Sequence, residues 1–149
     1  MNIVFVCTGN TCRSPMAEGI AKDALAKLPQ GEKVHVTSAG LAANEGDAAT
    51  PHSVKVCADH GIDISQHQSK PLTMTLLAAA DKIITMTHGQ AMALHRFMPE
   101  RAEDVIPLHA DFDVSDPFGG TEGLYESCFI QIQEGILNHL TEWIEEDNQ

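Results

Sequence analysis

The chain has few basic residues, few aromatic residues and no long apolar run. Its 149 residues include 9 Lys and Arg against 21 Asp and Glu, which gives a formal net charge of −12, and aromatic residues make up 5%. Nucleic acids and anionic membranes are held chiefly by Lys and Arg, so this charge balance argues against both as the main partner. No apolar run approaches the roughly 20 residues that a helix needs to span a bilayer.

Signals for export, for a disulfide framework and for a bound cofactor are also missing. Met1 leads directly into an apolar run without a basic segment, so we expect neither export nor anchoring and predict a cytoplasmic protein. Four cysteines in a chain of this size are not typical of a secreted disulfide scaffold. The histidines and cysteines lack the tight spacings of zinc sites, and Gly9 stands outside any dinucleotide-binding glycine pattern. We therefore expect no metal and no other cofactor.

The length and the 43% apolar composition fit one globular domain that spans residues 1–149. Short apolar runs alternate with longer helical patterns, an order typical of βαβ units and a parallel sheet. Strands are predicted at residues 2–6, 33–38, 82–86 and 104–106. We predict an α/β fold of three layers, with a four-stranded parallel sheet in the flavodoxin-like order 2-1-3-4. This order comes from the fold class, and it leaves a crevice at the carboxyl end of the first strand.

Helices are predicted from apolar spacing and from residues that begin or end helices. In the clearest one, apolar residues recur at helical spacing from Ala17 to Leu28, before Pro29 and Gly31 end it. The others are predicted from about residue 51 to residue 60, after residue 73, from residue 88 until residue 99, and from about residue 122 onward. The last helix carries an apolar face that we expect to pack against the sheet.

A short segment after the first strand, CTGNTCRSPMAE, combines a thiol, a guanidinium and the start of a helix. The residues between Cys7 and Arg13 can turn their backbone N–H groups inward, and the helix directs its positive end at the same place. An anion bound there touches the sulfur, and the surrounding positive charge favours the thiolate that attacks. Arg13 offers paired planar donors for two phosphate oxygens. Ser14 and Pro15 fit an N-cap followed by the first helical position.

A second candidate element is the acidic turn DVSDPFGG near the end of the chain. Cleavage of a phosphorylated group needs a proton donor for the leaving atom and later a base for water, and one carboxyl serves both steps. Asp116 is the candidate, since Pro117 fixes the backbone after it and the two glycines let the loop fold over a cleft. Asp111 and Asp113 are neighbouring carboxylates without an assigned role. Taken alone, an Asp-Pro turn is more often a plain capped loop.

These motifs resemble the low-molecular-weight protein tyrosine phosphatase family over nearly the whole chain. The family resemblance is carried by the Cys7-to-Ser14 loop and the Asp116-Pro117 pair, together with Ser38-Ala39-Gly40, His67 ahead of Lys70, and Met86. Within the family the chain most resembles the protein arginine phosphatases, through Thr11, Ala49-Thr-Pro-His52, Lys70-Pro-Leu-Thr73, Met86-Thr-His88 and Asp116-Pro-Phe-Gly-Gly120. The resemblance implies the phosphotyrosine phosphatase I type of fold.

The resemblance also implies a role for each motif residue. Cys7 forms a phosphocysteine, Arg13 binds phosphate, and Asp116 is the general acid and base. The substrate-binding residues implied are Thr8, Gly9, Asn10, Thr11, Cys12, Ser14 and Phe118. Asn10 and Ser14, with Ser38 and His67, form the implied polar network that holds the loop. A plainer alternative is that such Ser and Asn side chains satisfy local backbone groups and that the histidine is structural.

The substrate is predicted from two departures from the tyrosine phosphatase pattern. Thr11 stands where the family usually has an aliphatic residue, and Phe118 stands where it usually has tyrosine. Phosphotyrosine presents a flat apolar ring, whereas phosphoarginine presents N–H donors that the Thr11 hydroxyl and the Asp116 carboxylate can accept. The sequence therefore predicts a phosphatase, expected to be monomeric, that acts on phosphoarginine in proteins. Thr11 as a mere hydrogen-bonding residue of the loop remains the alternative.

Three other functions compete with this interpretation. A tyrosine phosphatase shares the chemistry and differs only in the wall of the binding site. A thiol-dependent arsenate reductase of this fold needs two further relay cysteines near the third strand, and residues 82–90 contain none. A phosphate-binding module without turnover has no need of both Cys7 and Asp116.

The four cysteines are expected to fall into two pairs. Cys57 and Cys128 lie in predicted helices and fit small core residues. Cys12 is near enough in sequence to Cys7 for a reversible disulfide that protects the nucleophile.

Overall fold

The computed structural model describes all residues, 1–149, as strands and helices in alternation. The strands are β1 (Asn2–Cys7), β2 (His35–Gly40), β3 (Lys82–Thr85) and β4 (Val105–Pro107). The helices are α1 (Arg13–Ala26), α2 (Pro51–Asp59), α3 (Met74–Ala79), α4 (His88–Phe97) and α5 (Glu122–Asp147). Two 3₁₀ turns, at Gly31–Lys33 and Pro99–Asp104, precede β2 and β4. Every predicted strand and helix is present.

The sheet is parallel throughout, and its strand order is β2-β1-β3-β4. This confirms the predicted 2-1-3-4 order. Because β1 lies between β2 and β3, the chain leaves its carboxyl end at the point where the strand order reverses, which is where ligands bind in such sheets. Cys7, the last residue of β1, is paired in register with Gly40 of β2.

Side chains of β1 alternate between two layers of helices. Ile3 and Phe5 belong to the larger buried cluster, which α1 and α5 complete, and Val4 and Val6 belong to the smaller one beside α3 and α4. Phe5 packs edge-on against Trp143 of α5, with ring centroids 6.1 Å apart. Apolar burial on both faces of the strand holds it rigidly in the middle layer, as predicted for a three-layer fold.

Several element boundaries differ from the sequence-based expectation. The second strand lies at His35–Gly40 rather than at residues 33–38, because Gly31–Lys33 form a 3₁₀ turn first. The first helix begins at Arg13 with Cys12 as its N-cap, so Ser14 and Pro15 lie inside the first turn and the predicted cap was wrong. The helix ends at residue 26, before the apolar pattern ends, and Leu28 is exposed.

The last helix, α5, anchors the segment that precedes it. The side chain of Thr121 accepts a hydrogen bond from the backbone N–H of Leu124, which caps the helix start just after the acidic turn. Tyr125, Phe129 and Trp143 are among its buried residues. A bilayer crossing needs a length and an apolar character that no helix of this fold combines.

Candidate active site

A cavity of about 230 Å³ opens at the carboxyl end of β1. Its walls come from two segments, which we call the phosphate loop (residues 7–13) and the acid loop (residues 110–120). The residues that line it are Cys7, Thr8, Gly9, Thr11, Cys12, Arg13, Asp116 and Phe118. All eight were candidates from the sequence, and the fold brings Asp116 and Phe118 across from the phosphate loop.

The backbone carbonyl groups of the phosphate loop bond to segments outside the loop. Its carbonyl groups bond outward, with Cys7 O accepting from Leu41 N, Thr8 O from Ala42 N and Thr11 O from Thr50 N. The N–H groups of Gly9, Thr11 and Cys12 donate to no other group of the protein. Because these three residues line the cavity, their free N–H groups can form an anion-binding nest at the start of α1.

The Cys7 sulfur receives two polar contacts inside this nest. The backbone N–H of Asn10 donates to Sγ at 3.3 Å, and the hydroxyl of Ser14 lies 2.9 Å from Sγ. The side-chain amide of Asn10 donates to that same hydroxyl oxygen at 2.8 Å, which leaves the hydroxyl hydrogen of Ser14 for the sulfur. Both contacts stabilise negative charge on Cys7.

Asn10 is the central support of the phosphate loop. Its φ of 56° lies in the left-handed region, which asparagine tolerates better than most residues. Its buried amide donates to Ser14 and Ser38, and its Oδ1 accepts from the backbone N–H of Lys70. The ring of His67 lies 2.8 Å from the Asn10 carbonyl. These contacts join the phosphate loop to α1, β2 and the segment before α3.

Asn10 and Ser14 therefore differ from the other candidate substrate-binding residues. Both side chains are completely buried and lie behind the cavity wall, so they support the loop and do not face a substrate. Sequence reasoning missed Glu18, whose carboxylate accepts from the Ser38 hydroxyl at 2.9 Å. Its position four residues after Ser14, on the same face of α1, was the available signal.

Arg13 joins the two loops. Its buried guanidinium donates from Nη1 to the carbonyl oxygen of Val114 at 3.0 Å, and Nη2 lies 3.7 Å from Oδ2 of Asp116. This bond leaves the other guanidinium donors for a ligand in the cavity, which Arg13 lines. Val114 was not a sequence candidate, because a backbone acceptor leaves no mark on residue type.

The acid loop is far more exposed than the phosphate loop. The Asp116 side chain is 56% exposed, and its Oδ1 accepts a hydrogen bond from Phe118 N at 3.1 Å. Phe118 itself stands at the rim and is 71% exposed. An exposed carboxylate opposite the sulfur has room to approach both a leaving group and a water molecule.

Two residues outside the cavity lining, Gln90 and Tyr125, contact residues of the cavity wall. Gln90 donates from Nε2 to the Thr8 hydroxyl at 3.3 Å, and its Oε1 accepts from the backbone of residues 86 and 87. The Tyr125 hydroxyl lies 3.4 Å from the Cys12 sulfur. Burial, and next the contact with Cys12, raises the pKa of Tyr125 to about 12, so it stays protonated. Neither Gln90 nor Tyr125 was a sequence candidate.

The two remaining cysteines are chemically separate from the site. Cys57 and Cys128 are buried in α2 and α5, as predicted. Burial raises the pKa of each thiol to about 12, so almost none of either is thiolate near neutral pH.

A family model described as low molecular weight phosphotyrosine protein phosphatase matches residues 2–149. The chain belongs to this family. Protein-arginine-phosphatase of Bacillus subtilis (strain 168) is 36% identical over 154 residues, 100% of both chains. The probable low molecular weight protein-tyrosine-phosphatase EpsP of Ralstonia solanacearum is 38% identical over 136 residues, 90% of both. Arsenate reductase 1 of Staphylococcus epidermidis is 43% identical over 117 residues, 78% of both.

Solved structures agree with the family assignment. The YwlE arginine phosphatase from Geobacillus stearothermophilus superposes with a TM-score of 0.88 at 33% identity, covering 97% of this chain and 94% of the other. The predicted resemblance to the family and to its arginine phosphatases is confirmed. The chain is a cysteine-dependent protein phosphatase. Relatives of similar identity carry different substrate names, so the substrate must be argued from the site.

Proposed function

We propose that this phosphatase hydrolyses phosphoarginine in proteins through a phosphocysteine on Cys7. In the first step the Cys7 sulfur forms a bond to phosphorus, the P–N bond breaks, and Asp116 gives its proton to the leaving guanidine nitrogen. In the second step Asp116 takes a proton from water, whose oxygen bonds to phosphorus as the S–P bond breaks. Inorganic phosphate then leaves, and Asp116 is again protonated for the next cycle.

The geometry around the sulfur supports these roles. The unpaired N–H groups of the phosphate loop and the guanidinium of Arg13 surround the space in front of Cys7, where the phosphoryl oxygens gain charge in the transition state. Asp116 lies across that space on the acid loop, with Oδ2 3.7 Å from Nη2 of Arg13. A nucleophile, an anion cradle and a proton donor thus face one cavity.

The observation that carries the choice of phosphoarginine is the hydroxyl of Thr11 on the cavity wall. Its nearest polar side-chain contact is the Cys12 sulfur, 4.0 Å away, so the hydroxyl oxygen is free to accept from a substrate. A phosphorylated guanidinium brings several N–H donors into the cavity, and each buried donor left unpaired costs about 1–3 kcal/mol. Thr11 and Asp116 offer acceptors on opposite walls for these donors.

Tyrosine phosphatase activity is the second candidate, and Phe118 is the observation in its favour. Its exposed ring at the rim offers a flat surface to a phosphotyrosine ring. An aromatic ring has no hydrogen-bond donor for the Thr11 hydroxyl. Phosphotyrosine therefore leaves that hydroxyl without a partner in the wall of the cavity.

Arsenate reduction fits the chain less well, despite the identity to a reductase. A thiol relay needs mobile, reactive cysteines that accept oxidation from the first one. Cys57 and Cys128 are buried in helices with raised pKa values, which opposes such a relay. Cys12 alone remains near Cys7.

The deciding experiment compares turnover of a phosphoarginine protein and a phosphotyrosine peptide under identical conditions, with Cys7→Ser as the blank. We expect a higher kcat/KM for phosphoarginine. Preferred turnover of phosphotyrosine would reject the proposed substrate while leaving the phosphatase chemistry intact.

Thr11→Ile tests whether the Thr11 hydroxyl on the cavity wall selects the substrate. Loss of the hydroxyl and gain of an aliphatic surface should move the phosphotyrosine-to-phosphoarginine ratio of kcat/KM upward by about 5- to 100-fold. Thr11→Val, which keeps the shape but not the hydroxyl, is the matched control and should move the ratio in the same direction. An unchanged ratio in both variants would remove Thr11 as the selector.

A further inference from the structure

His88, the first residue of α4, contacts the acid loop through both nitrogens of its ring. Nδ1 lies 2.7 Å from Oδ1 of Asp113, and Nε2 lies 2.9 Å from the carbonyl oxygen of Ala110. The backbone N–H of His88 donates to the same Asp113 oxygen at 2.8 Å. One residue of α4 therefore ties together the two ends of the turn at residues 110–113.

The chemistry of the two acceptors defines the protonation state of the ring. A carbonyl oxygen cannot donate, so Nε2 must carry a hydrogen to bond Ala110, and an ionised carboxylate likewise requires a hydrogen on Nδ1. Both hydrogen bonds exist together only when His88 is an imidazolium. A neutral ring keeps one of them at most.

The turn held by His88 leads directly to the proton carrier. Val114, which follows Asp113, donates from its N–H to the Met86 carbonyl and accepts from Arg13. Beyond Val114, Asp116 has only its own turn contact with Phe118 and the 3.7 Å approach to Arg13. The direction in which Asp116 points therefore depends on the anchors on both sides of it, those upstream at residues 110–114 and the Thr121 cap of α5 downstream.

We propose that His88 and Asp113 form a positioning pair that holds the acid loop so that Asp116 faces the Cys7 sulfur. The proposal rests on the proposed role of Asp116 as acid and base and extends it to residues outside the cavity. His88 touches neither substrate nor reacting atoms; it acts through the loop.

The charges around the pair give it a defined pH range. The contact with Asp113, then the Ala110 carbonyl, raises the pKa of His88, and the neighbouring charge of Asp111 adds to this. Hydrogen bonds from the backbone and ring of His88 lower the pKa of Asp113, helped by the charge of Arg13. The pair is therefore intact from below the ordinary Asp pKa of about 3.9 to above the ordinary His pKa of about 6.5. It is lost as pH rises through the raised pKa of His88, or falls through the lowered pKa of Asp113.

Three variants and a control test the pair on phosphoarginine turnover. His88→Ala removes both ring bonds, and we expect kcat to fall about 5- to 10-fold, a part of the 10²–10⁴-fold that general acid–base catalysis supplies, with KM changed less than about twofold. His88→Asn keeps a donor in the place of Nδ1 and should recover part of that loss. Asp113→Asn keeps an acceptor oxygen but not the charge, so it should cause a smaller fall in kcat than His88→Ala. His95→Gln, at the far end of α4 with its ring on the Val105 carbonyl, should leave kcat unchanged.

A double-mutant cycle with Asp116→Asn separates positioning from general damage. If His88 acts only through Asp116, His88→Ala should have almost no further effect on kcat in the Asp116→Asn background. Additive losses, or a loss in KM alone, would overturn the inference. If Asp116→Asn by itself left kcat unchanged, the proposed function would fail instead, which is a different result.

The ring itself offers a readout independent of turnover. We expect the His88 ring resonances to titrate above the ordinary histidine pKa of about 6.5, and Asp113→Asn to bring that pKa down. In the wild type we expect kcat to fall as the pH rises through the pKa of His88. His88→Asn has no group that titrates there, so its kcat should not show this fall. A His88 that titrates at or below its ordinary pKa would refute the pair.

Discussion

The two loops that form the cavity are built in opposite ways. Cys7, Asn10, Cys12 and Arg13 of the phosphate loop are buried, and the side chains and carbonyls of this loop bond to α1, β2 and the segment before α3. The acid loop is largely exposed and is held at a few points, chiefly by Arg13 and His88. A cradle for developing charge works best when its donors are fixed in advance. A carboxyl that serves two steps needs room for a leaving group and then for water.

The two loops also depend on glycine for different reasons. A Cβ on Gly40 would lie 2.6 Å from the Thr8 carbonyl oxygen and 3.0 Å from Asn10 N, so the phosphate loop packs directly on this glycine. Gly119 in the acid loop has open space around it and is required by its φ of +77°. Close packing demands glycine in the first case, and a turn conformation demands it in the second.

The largest expected effect comes from removing the proposed nucleophile of the phosphate loop. Cys7→Ser should lower kcat at least about 10⁴-fold, since a neutral hydroxyl lacks the reactivity of a thiolate. Binding of inorganic phosphate, measured by calorimetry, should change little because the N–H nest and Arg13 remain. Loss of phosphate binding in a folded Cys7→Ser protein would contradict the preformed cradle.

Removal of the proposed proton carrier, Asp116, from the acid loop should lower kcat less. Asp116→Asn keeps the shape but cannot transfer a proton, so kcat should fall about 10²–10⁴-fold with unchanged phosphate binding. Rapid-mixing kinetics should show both formation and hydrolysis of the phosphocysteine slowed. Asp111→Asn, in the same loop but outside the cavity lining, is the matched control and should have little effect.

Asn10 tests how far the rigidity of the phosphate loop depends on one buried amide. Asn10→Ala removes the donor that Ser14 and Ser38 accept and the only acceptor of the Lys70 N–H, and it places alanine at positive φ. We expect the free energy of unfolding to fall by about 2–4 kcal/mol in urea titrations. Asn10→Gly relieves the backbone conformation and should lose less. Equal stability of Asn10→Ala and the wild type would show that the network is dispensable.

The smallest expected effect on turnover belongs to Cys12, which is a redox residue in our interpretation. We expect that, once peroxide has converted the Cys7 sulfur to a sulfenic acid, the Cys12 thiol displaces water to form a disulfide that a thiol reductant reverses. Cys12→Ala should change kcat less than about twofold, yet should lose recovery after peroxide. Mass measurement of the treated wild type should find the Cys7–Cys12 link. A stable sulfinic acid on Cys7 in the wild type would reject this protection.

Local patterns were enough to predict most of the fold. Apolar runs and helix-ending residues located the strands and helices, because burial of one face requires a period that residue type reveals. The errors lie at the ends of strands and helices. The pattern does not distinguish the 3₁₀ turn Gly31–Lys33 from the strand after it, and Ser14 is a good cap residue whose hydroxyl is used by Cys7 and Asn10 instead.

The candidate site was predictable to the extent that its chemistry lies in side chains near one another in sequence. Cys7, Arg13 and the positive end of α1 form one local unit, so their residue types and spacing were informative. Gln90, Tyr125 and His88 reach the loops from distant parts of the chain. No local pattern marked Gln90 or Tyr125, and His88 entered only as the last residue of the Met86-Thr-His88 motif, without a role.

The sequence alone determined the candidate nucleophile, the candidate anion cradle and the order of strands and helices along the chain, because each depends on neighbours along the chain. The tertiary structure decided which carbonyl fixes Arg13, which side chains stand behind the wall and how firmly each loop is held. These depend on contacts between residues far apart in sequence, and such contacts exist only after the sheet brings the ends of β1, β3 and β4 to one edge.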